Sequence, residues 1–242
     1  MALKRVFVTY GVDVDAVAGW LGSYGGEDSP NDISRRELTG TIGTRRLLKL
    51  FDKYKISTTW FIPGHSLETF PEYMAAVRDA GHEIGLHGYS HENPTDMTVE
   101  QQRDVLDKTY RILTEFAGEP PRGIVAPCKK AETWMKLLEH GLQTGLVEIP
   151  SNWYINGLPP MLFIKNAPST HGYVNARDYD KFIFLITIQH DVSGRPHVPL
   201  IHERPIEYFK NHDGVEFMTM GQVCDEFKKE QATGRGSSCQ VR

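Results

Sequence analysis

The sequence predicts one α/β domain built from parallel βαβ units, with an α/β barrel preferred over an open sheet. Strand-like β-branched and aromatic runs alternate with helical-period segments through most of the chain, which is the pattern of parallel sheets. The 242 residues, 40% of them hydrophobic, suffice for one sizeable core, and single barrels commonly have this length. No internal repeat interrupts the alternation.

Lys4–Tyr10 is β-branched and aromatic, a buried-strand pattern. Gly19–Ile42, with GSYGGEDSPNDISR at its centre, reads as a long loop of the kind that forms a lid, a binding loop or a disordered segment. Thr44–Lys55 places Leu47, Leu48, Phe51 and Tyr54 on one helical face. Ser57–Pro63 is a second strand. Ser66–Ala80 is a helix with Phe70, Met74 and Val77 in a stripe, and Glu83–His87 is a strand that stops at a histidine. Thr98–Phe116 is the clearest helix: Thr98 and Gln101 form a capping box ahead of Leu106, Tyr110 and Leu113. Arg122–Pro127 is a short strand, and Glu132–His140 a helix stopped by Gly141. Leu146–Pro150, Met161–Lys165, Phe182–Ile188 and Val215–Met218 complete the strands, and Gly221–Lys229 is a closing helix. One domain over residues 1–229 and a polar tail over 230–242 follow.

The formal charge of −4, with acidic and basic residues interspersed, gives no electrostatic footprint for nucleic acid. No segment reaches the roughly 18–20 apolar residues of a membrane span. Met1–Arg5 runs directly into VFVTY with no apolar leader or cleavage site, so the expectation is a cytoplasmic protein. Cys128, Cys224 and Cys239 are too few and odd in number for a disulfide framework and read as reduced thiols. The Gly19–Ile42 loop could cap a site or pack on a neighbouring subunit, which keeps a homo-oligomer open.

Two constellations carry chemistry. Asp13 and Asp15, at the end of the first strand, are two residues apart and face the same side. Paired carboxylates destabilise each other unless a cation or a proton separates them, and a metal would let one ligate while the other acts as a base. A solvated turn is the plainer alternative. His87 and His91 lie four apart across Gly88, and imidazole is the common nitrogen ligand of zinc and similar metals. One core and one surface histidine is the alternative here. Joined, the two sets give three protein ligands with an open position, the layout of a catalytic zinc site, at strand ends where barrel active sites sit.

The segments TYGVDVDAVAGWLGSYGGEDSPNDISR, TTWFIPGHSLETFP, GHEIGLHGYSHENP, VEIPSNWYINGLPPMLFIK and DVSGRPHV span nearly the whole chain. With them the chain resembles the polysaccharide deacetylase family with its NodB homology domain, in the subgroup that is peptidoglycan deacetylase-like and related to allantoinase-like and cyclic-imide hydrolases. The resemblance implies a distorted, incomplete (β/α) barrel. It implies Asp15, His87 and His91 as ligands of Zn²⁺, Co²⁺ or Mn²⁺ and Asp13 as catalytic base. It also implies an oxyanion-binding N–H at Cys128, and a late-strand histidine that protonates the leaving nitrogen. His171, in STHGYVN, falls in a matching segment and is a candidate for the pocket lining.

Two departures stand out. Relatives carry Thr-Ile-His-Pro-Asp at the late strand, whereas this chain has Thr187-Ile188-Gln189-His190-Asp191. Gln189 therefore holds the place of the acid, and a one-residue shift flips side-chain direction. His190 serves as the acid only if the strand bulges or the following turn re-aims it. Second, Pro127-Cys128-Lys129-Lys130 runs straight into Ala131-Glu132-Thr133-Trp134 where relatives have a further strand and helix, and another shortening lies near 175–181. The reading that follows is a metal-dependent hydrolase that removes N-acetyl groups from amino sugars such as chitin oligomers or peptidoglycan fragments. An amidohydrolase of cyclic imides, ureides or other small amides is the first alternative, and a metal-binding pseudoenzyme the second.

Overall fold

A computed structural model describes residues 5–19, 21, 29–125, 145–147, 149 and 182–232. The elements run β1 (Val6–Asp13), α1 (Pro30–Leu38), α2 (Thr44–Tyr54), β2 (Thr59–Ile62), α3 (Gly64–Thr69), α4 (Pro71–Asp79), β3 (Glu83–Leu86), α5 (Val99–Ala117), β4 (Phe182–Gln189), α6 (His190–Ser193), α7 (Val198–Lys210), β5 (Val215–Phe217) and α8 (Met220–Ala232). Every strand pairing is parallel, in the order β3-β2-β1-β4. β1 is the hub. β4 pairs along its whole length from Val6 to Asp13 on one edge, while β2 takes residues 11–13 and β5 residues 6–8 of the other. The sheet does not close into a barrel among the described residues.

β1 is buried from Phe7 onward. That is what a strand with neighbours on both edges and helices on its faces requires, and its run of apolar residues matches. Beneath it, Tyr10, Phe51 and Trp60 are fully buried or nearly so, with ring centroids 5.5 Å apart for Tyr10–Phe51 and 6.4 Å for Phe51–Trp60. The Trp60 indole N–H donates to Thr58 Oγ1 at 2.9 Å, so its one polar atom is satisfied inside the core. Leu47, Leu50 and Phe51 bring the apolar face of α2 onto this cluster. The capping box of α5 forms as the sequence specifies, and Gly118 ends the helix in the left-handed conformation at φ 78°.

Three expectations need correction. The Gly19–Ile42 segment is not all loop: Pro30–Leu38 is helical, and a π-helical turn at Thr39–Gly43 joins it to α2. The Ser66–Ala80 helix is two helices, because Phe70 leaves helical backbone and Pro71 opens a new first turn, where its missing N–H costs nothing. Of Arg122–Pro127, the described residues 122–125 contribute a single parallel bridge, Ile124 to Leu86. α7 has no counterpart among the elements expected from the sequence. Pro199 sits in its first turn and Pro205 is accommodated inside it. The predicted elements at 132–140 and 161–165 lie outside the described residues; in the predicted strand at 146–150, residues 146, 147 and 149 are described and do not lie in a strand.

The π-helical turn matters for the site because it packs on α6. A side chain at Gly43 would stand 3.0 Å from the His190 carbonyl oxygen, and one at Gly194 would overlap the Gly43 backbone. Small residues at both positions let the turn seat directly against the end of β4.

His202, on α7, is buried against the Tyr10 ring, and its Nε2 shares a hydrogen bond with the Ser193 hydroxyl (3.0 Å). Burial holds its pKa down at about 4. The folded ring thus binds a proton more weakly than the unfolded one, whose pKa is about 6.5. Its contribution is complete above about pH 6.5 and is lost as pH falls toward 4. Urea unfolding should therefore show about 2 kcal/mol less pH-dependent loss between pH 7 and pH 5 in His202→Gln than in the parent. Equal losses would show that the ring is not held neutral.

Candidate metal centre

Parallel pairing puts the C-terminal ends of β1, β3 and β4 along one edge of the sheet. The registers align Asp13 with Phe61 and Phe61 with Gly85, so two residues further on Asp15 and His87 stand at the same level. On the other side Asp13 pairs with Gln189. Geometry fixed by backbone hydrogen bonds thus delivers two carboxylates, an imidazole and an amide to one place.

Asp15 and His87 are buried, at 3% and 7% exposure, and His91 is partly so. His87 Nε2 lies 3.1 Å from Asp15 Oδ1, and His91 Nε2 lies 3.8 Å from the same oxygen. One ligand atom from each of the three residues falls within 4.8 Å of the others. A tetrahedral ion with N/O ligands at about 2.1 Å would hold them about 3.4 Å apart. The donor set, one carboxylate oxygen and two imidazole nitrogens, suits a divalent transition ion. His87 Nδ1 faces the Val125 carbonyl at 3.1 Å, where its N–H donates, which fixes the tautomer that leaves Nε2 for a ligand.

The loop that carries His91 is tied down on several sides. Gly88 and His91 both adopt left-handed backbone, at φ 69° and 60°. For His91 this is a strained conformation that the surroundings must hold. The Glu92 carboxylate accepts from the backbone N–H of Tyr89 (3.0 Å) and of Ser90 (2.8 Å) and from the Ser90 hydroxyl (2.7 Å). The Gly64 and His65 N–H groups donate to the Gly88 and Tyr89 carbonyls. On the other side, Ser66 donates to the Asp15 carbonyl at 3.1 Å. Sequence reasoning did not single out Glu92 or Ser66. An acidic residue after His-x3-His resembles any surface charge, and Ser66 is distant in the chain from what it binds.

Asp13 accepts from the Gln189 amide, Nε2 to Oδ2 at 3.3 Å. β4 runs through Gln189 in unbroken register, so there is no bulge to re-aim His190. His190 instead opens α6, fully buried, with Nδ1 3.0 Å from the Asp13 carbonyl oxygen. Its ring is thus close to the site but engaged with the main chain of Asp13. Cys128 and His171 lie outside the described residues. His82 is half-buried between Phe51 and Trp60, and its Nδ1 accepts from the Thr58 N–H.

The electrostatics form one coupled unit. Burial acts to raise the Asp15 pKa, but the hydrogen bond from His87 and the charges of His87, His91 and His190 outweigh it and hold the carboxyl well below the usual range. Burial alone would lower His87. The Asp15 hydrogen bond and the charges of Asp13 and Asp15 carry it up to about 9 instead. His91 is shifted down, mainly by burial. A cationic group on His87 therefore balances Asp15, which is the charge a bound cation would take over.

The profile of the polysaccharide deacetylase family matches residues 33–144. A peptidoglycan deacetylase of Helicobacter pylori is 43% identical over 285 aligned residues, covering 93% of this chain and 97% of that protein. A peptidoglycan deacetylase-like protein of Gibberella zeae is 32% identical, covering 93% of this chain and 87% of that protein. Because 285 aligned positions exceed the 242 residues here, at least 43 fall opposite gaps in this chain. Among solved structures, a Mycobacterium smegmatis protein described as a polysaccharide deacetylase superposes with a TM-score of 0.79 at 24% identity, over 94% of this chain and 92% of that one.

Removing the Asp15 charge should let burial dominate at His87. In Asp15→Asn without metal, an NMR titration should find the His87 pKa below about 6.5 instead of about 9. A value still near 9 would show that Asp15 is not the group that raises it.

Proposed function

Because the chain belongs to the polysaccharide deacetylase family, we propose that it is a hydrolase that removes N-acetyl groups from amino sugars, on peptidoglycan fragments or chitin oligomers. The buried Asp13–Asp15 pair facing His87 and His91 carries this reading, together with a 43% identical peptidoglycan deacetylase that aligns over nearly the whole chain. Asp15, His87 and His91 would hold a divalent ion such as zinc, cobalt or manganese. When bound, such an ion supplies polarisation of the acetyl carbonyl and a lowered pKa for a water molecule.

This chain's own residues do the rest. Asp13, set on the strand end by its pairing with Gln189 and by His190 on its carbonyl, takes the proton from the attacking water. The water oxygen bonds to the carbonyl carbon, the C–N bond breaks, and acetate and amine leave. The leaving nitrogen needs a proton. Gln189 has none to give at neutral pH, since an amide N–H is not an acid there. The carboxyl of Asp13 then holds the proton it took from water and passes it to the nitrogen. Glu92 keeps the His91 loop in its strained form, so the third ligand is in place before anything binds.

A second reading, binding without turnover, is favoured by the amide of Gln189 at the place where the family resemblance implies a histidine. The same experiment separates the two. Acetate release is measured from N-acetylglucosamine oligomers and peptidoglycan fragments, with and without chelator, alongside metal content. Chelator-sensitive release that falls by about 10²-fold or more in Asp13→Asn is the expected result. Stoichiometric metal with no release would support binding alone. Turnover of hydantoin or succinimide in place of the sugars would move the activity to small cyclic amides.

A further inference from the structure

The loop between His87 and His91 has an anchor that supplies no atom to the ligand set. Tyr89 stands midway between the two histidines, and residues of two helices hold its side chain. It lies so close to Gly64 of α3 that a Cβ there would stand 2.6 Å from Tyr89 Cδ2. Its hydroxyl donates to the Glu68 carboxylate, also on α3, at 2.7 Å. From α5, the Lys108 ammonium sits over the ring, 3.2 Å from its centroid. A cation in that place is attracted by the negative face of the ring quadrupole. The bond to Glu68 strengthens the attraction, because a phenol proton drawn toward a carboxylate leaves the ring richer in electrons. Glu68 and Lys108 are both exposed, and Tyr89 is partly buried.

Gly88 and His91, on either side of Tyr89, both have left-handed backbone. His91 leaves that conformation unless its surroundings hold it there. Glu92 ties the N–H groups of Tyr89 and Ser90, whereas the Tyr89 side chain ties the same loop to α3 and α5. A loop that keeps its bound shape before the ion arrives binds more tightly, because less ordering accompanies binding. Resting on the metal-site reading above, we propose that Tyr89, clamped by Glu68 and Lys108, is a positioning residue for His91 that raises the affinity for the divalent ion. The sign of the Lys108 effect sets this apart from plain electrostatics. An ammonium near a dication weakens its binding by Coulomb repulsion. Lys108 acts in the opposite sense, since its hold on Tyr89 keeps the third ligand in place.

The test is the Kd of the full chain for Zn²⁺, measured by competition with a chromogenic chelator. Lys108→Met removes the charge at an exposed position and keeps the apolar stem. Its Kd should rise about fivefold. Lys108→Arg keeps a cation over the ring and should stay within about twofold of the parent. Tyr89→Leu removes the whole clamp and should raise the Kd by about tenfold or more. Lys229→Met, an equal loss of charge on α8, should leave the Kd unmoved. An unchanged or lower Kd in Lys108→Met overturns the proposal. So does Lys108→Arg that binds as weakly as Lys108→Met, or a matching rise in Lys229→Met. If Tyr89→Leu does not fold, the two Lys108 variants decide alone. A parent that binds no Zn²⁺ removes the metal-site reading and this inference with it, a result distinct from a parent that binds Zn²⁺ no more tightly than its variants.

Discussion

Two carboxylates buried two residues apart at the end of one strand impose the condition that the rest of this site meets. In a medium of low permittivity, Asp13 and Asp15 cannot both be ionised unless positive charge and donor groups surround them. Each neighbour answers part of that demand. His87 donates to Asp15, His91 stands behind it, and Gln189 donates to Asp13. These partners come from β3, the loop after it, and β4, so the compensation is possible only in a sheet where those strand ends lie side by side. The parallel arrangement and the charge pair therefore support each other.

What could be read from the sequence follows the reach of local spacing. Asp13 with Asp15, and His87 with His91, are pairs within a few residues, and period and spacing alone mark them. The capping box at Thr98 and Gln101 is of the same kind. The Gln189–Asp13 bond spans 176 positions and exists only because β4 pairs with β1 in one register, which no local pattern encodes. For that reason Gln189 read as a lost acid rather than as a partner of the base. Helix signals failed where turn-forming residues dominate: α1 begins at Pro30 inside a Gly/Ser/Asp-rich stretch, and α7 carries Pro199 and Pro205. In both, tertiary packing outweighs intrinsic propensity. The buried Ile206 and His202 anchor α7 despite its prolines.

The shortening relative to the curated deacetylases leaves the charge pair and its partners intact. Asp13, Asp15, His87 and His91 are held by β1, β2, β3 and their loops, and Val125, which fixes the His87 tautomer, is also among the described residues.

The pairing of β1 with β4 also bears on how the molecule assembles. Contacts between β1, β2 and β3 close loops of a few tens of residues, whereas β4 must return across some 170 positions to complete the hub strand. Non-local parallel pairing is slow because its loop entropy is lost before its contacts form. Until β4 arrives, one edge of β1 stands open and Asp13 lacks its amide partner, while Asp15 and His87 can already meet. The buried carboxylate–imidazole pair thus belongs to the part of the fold built from near contacts, and the amide on Asp13 to the part built from distant ones.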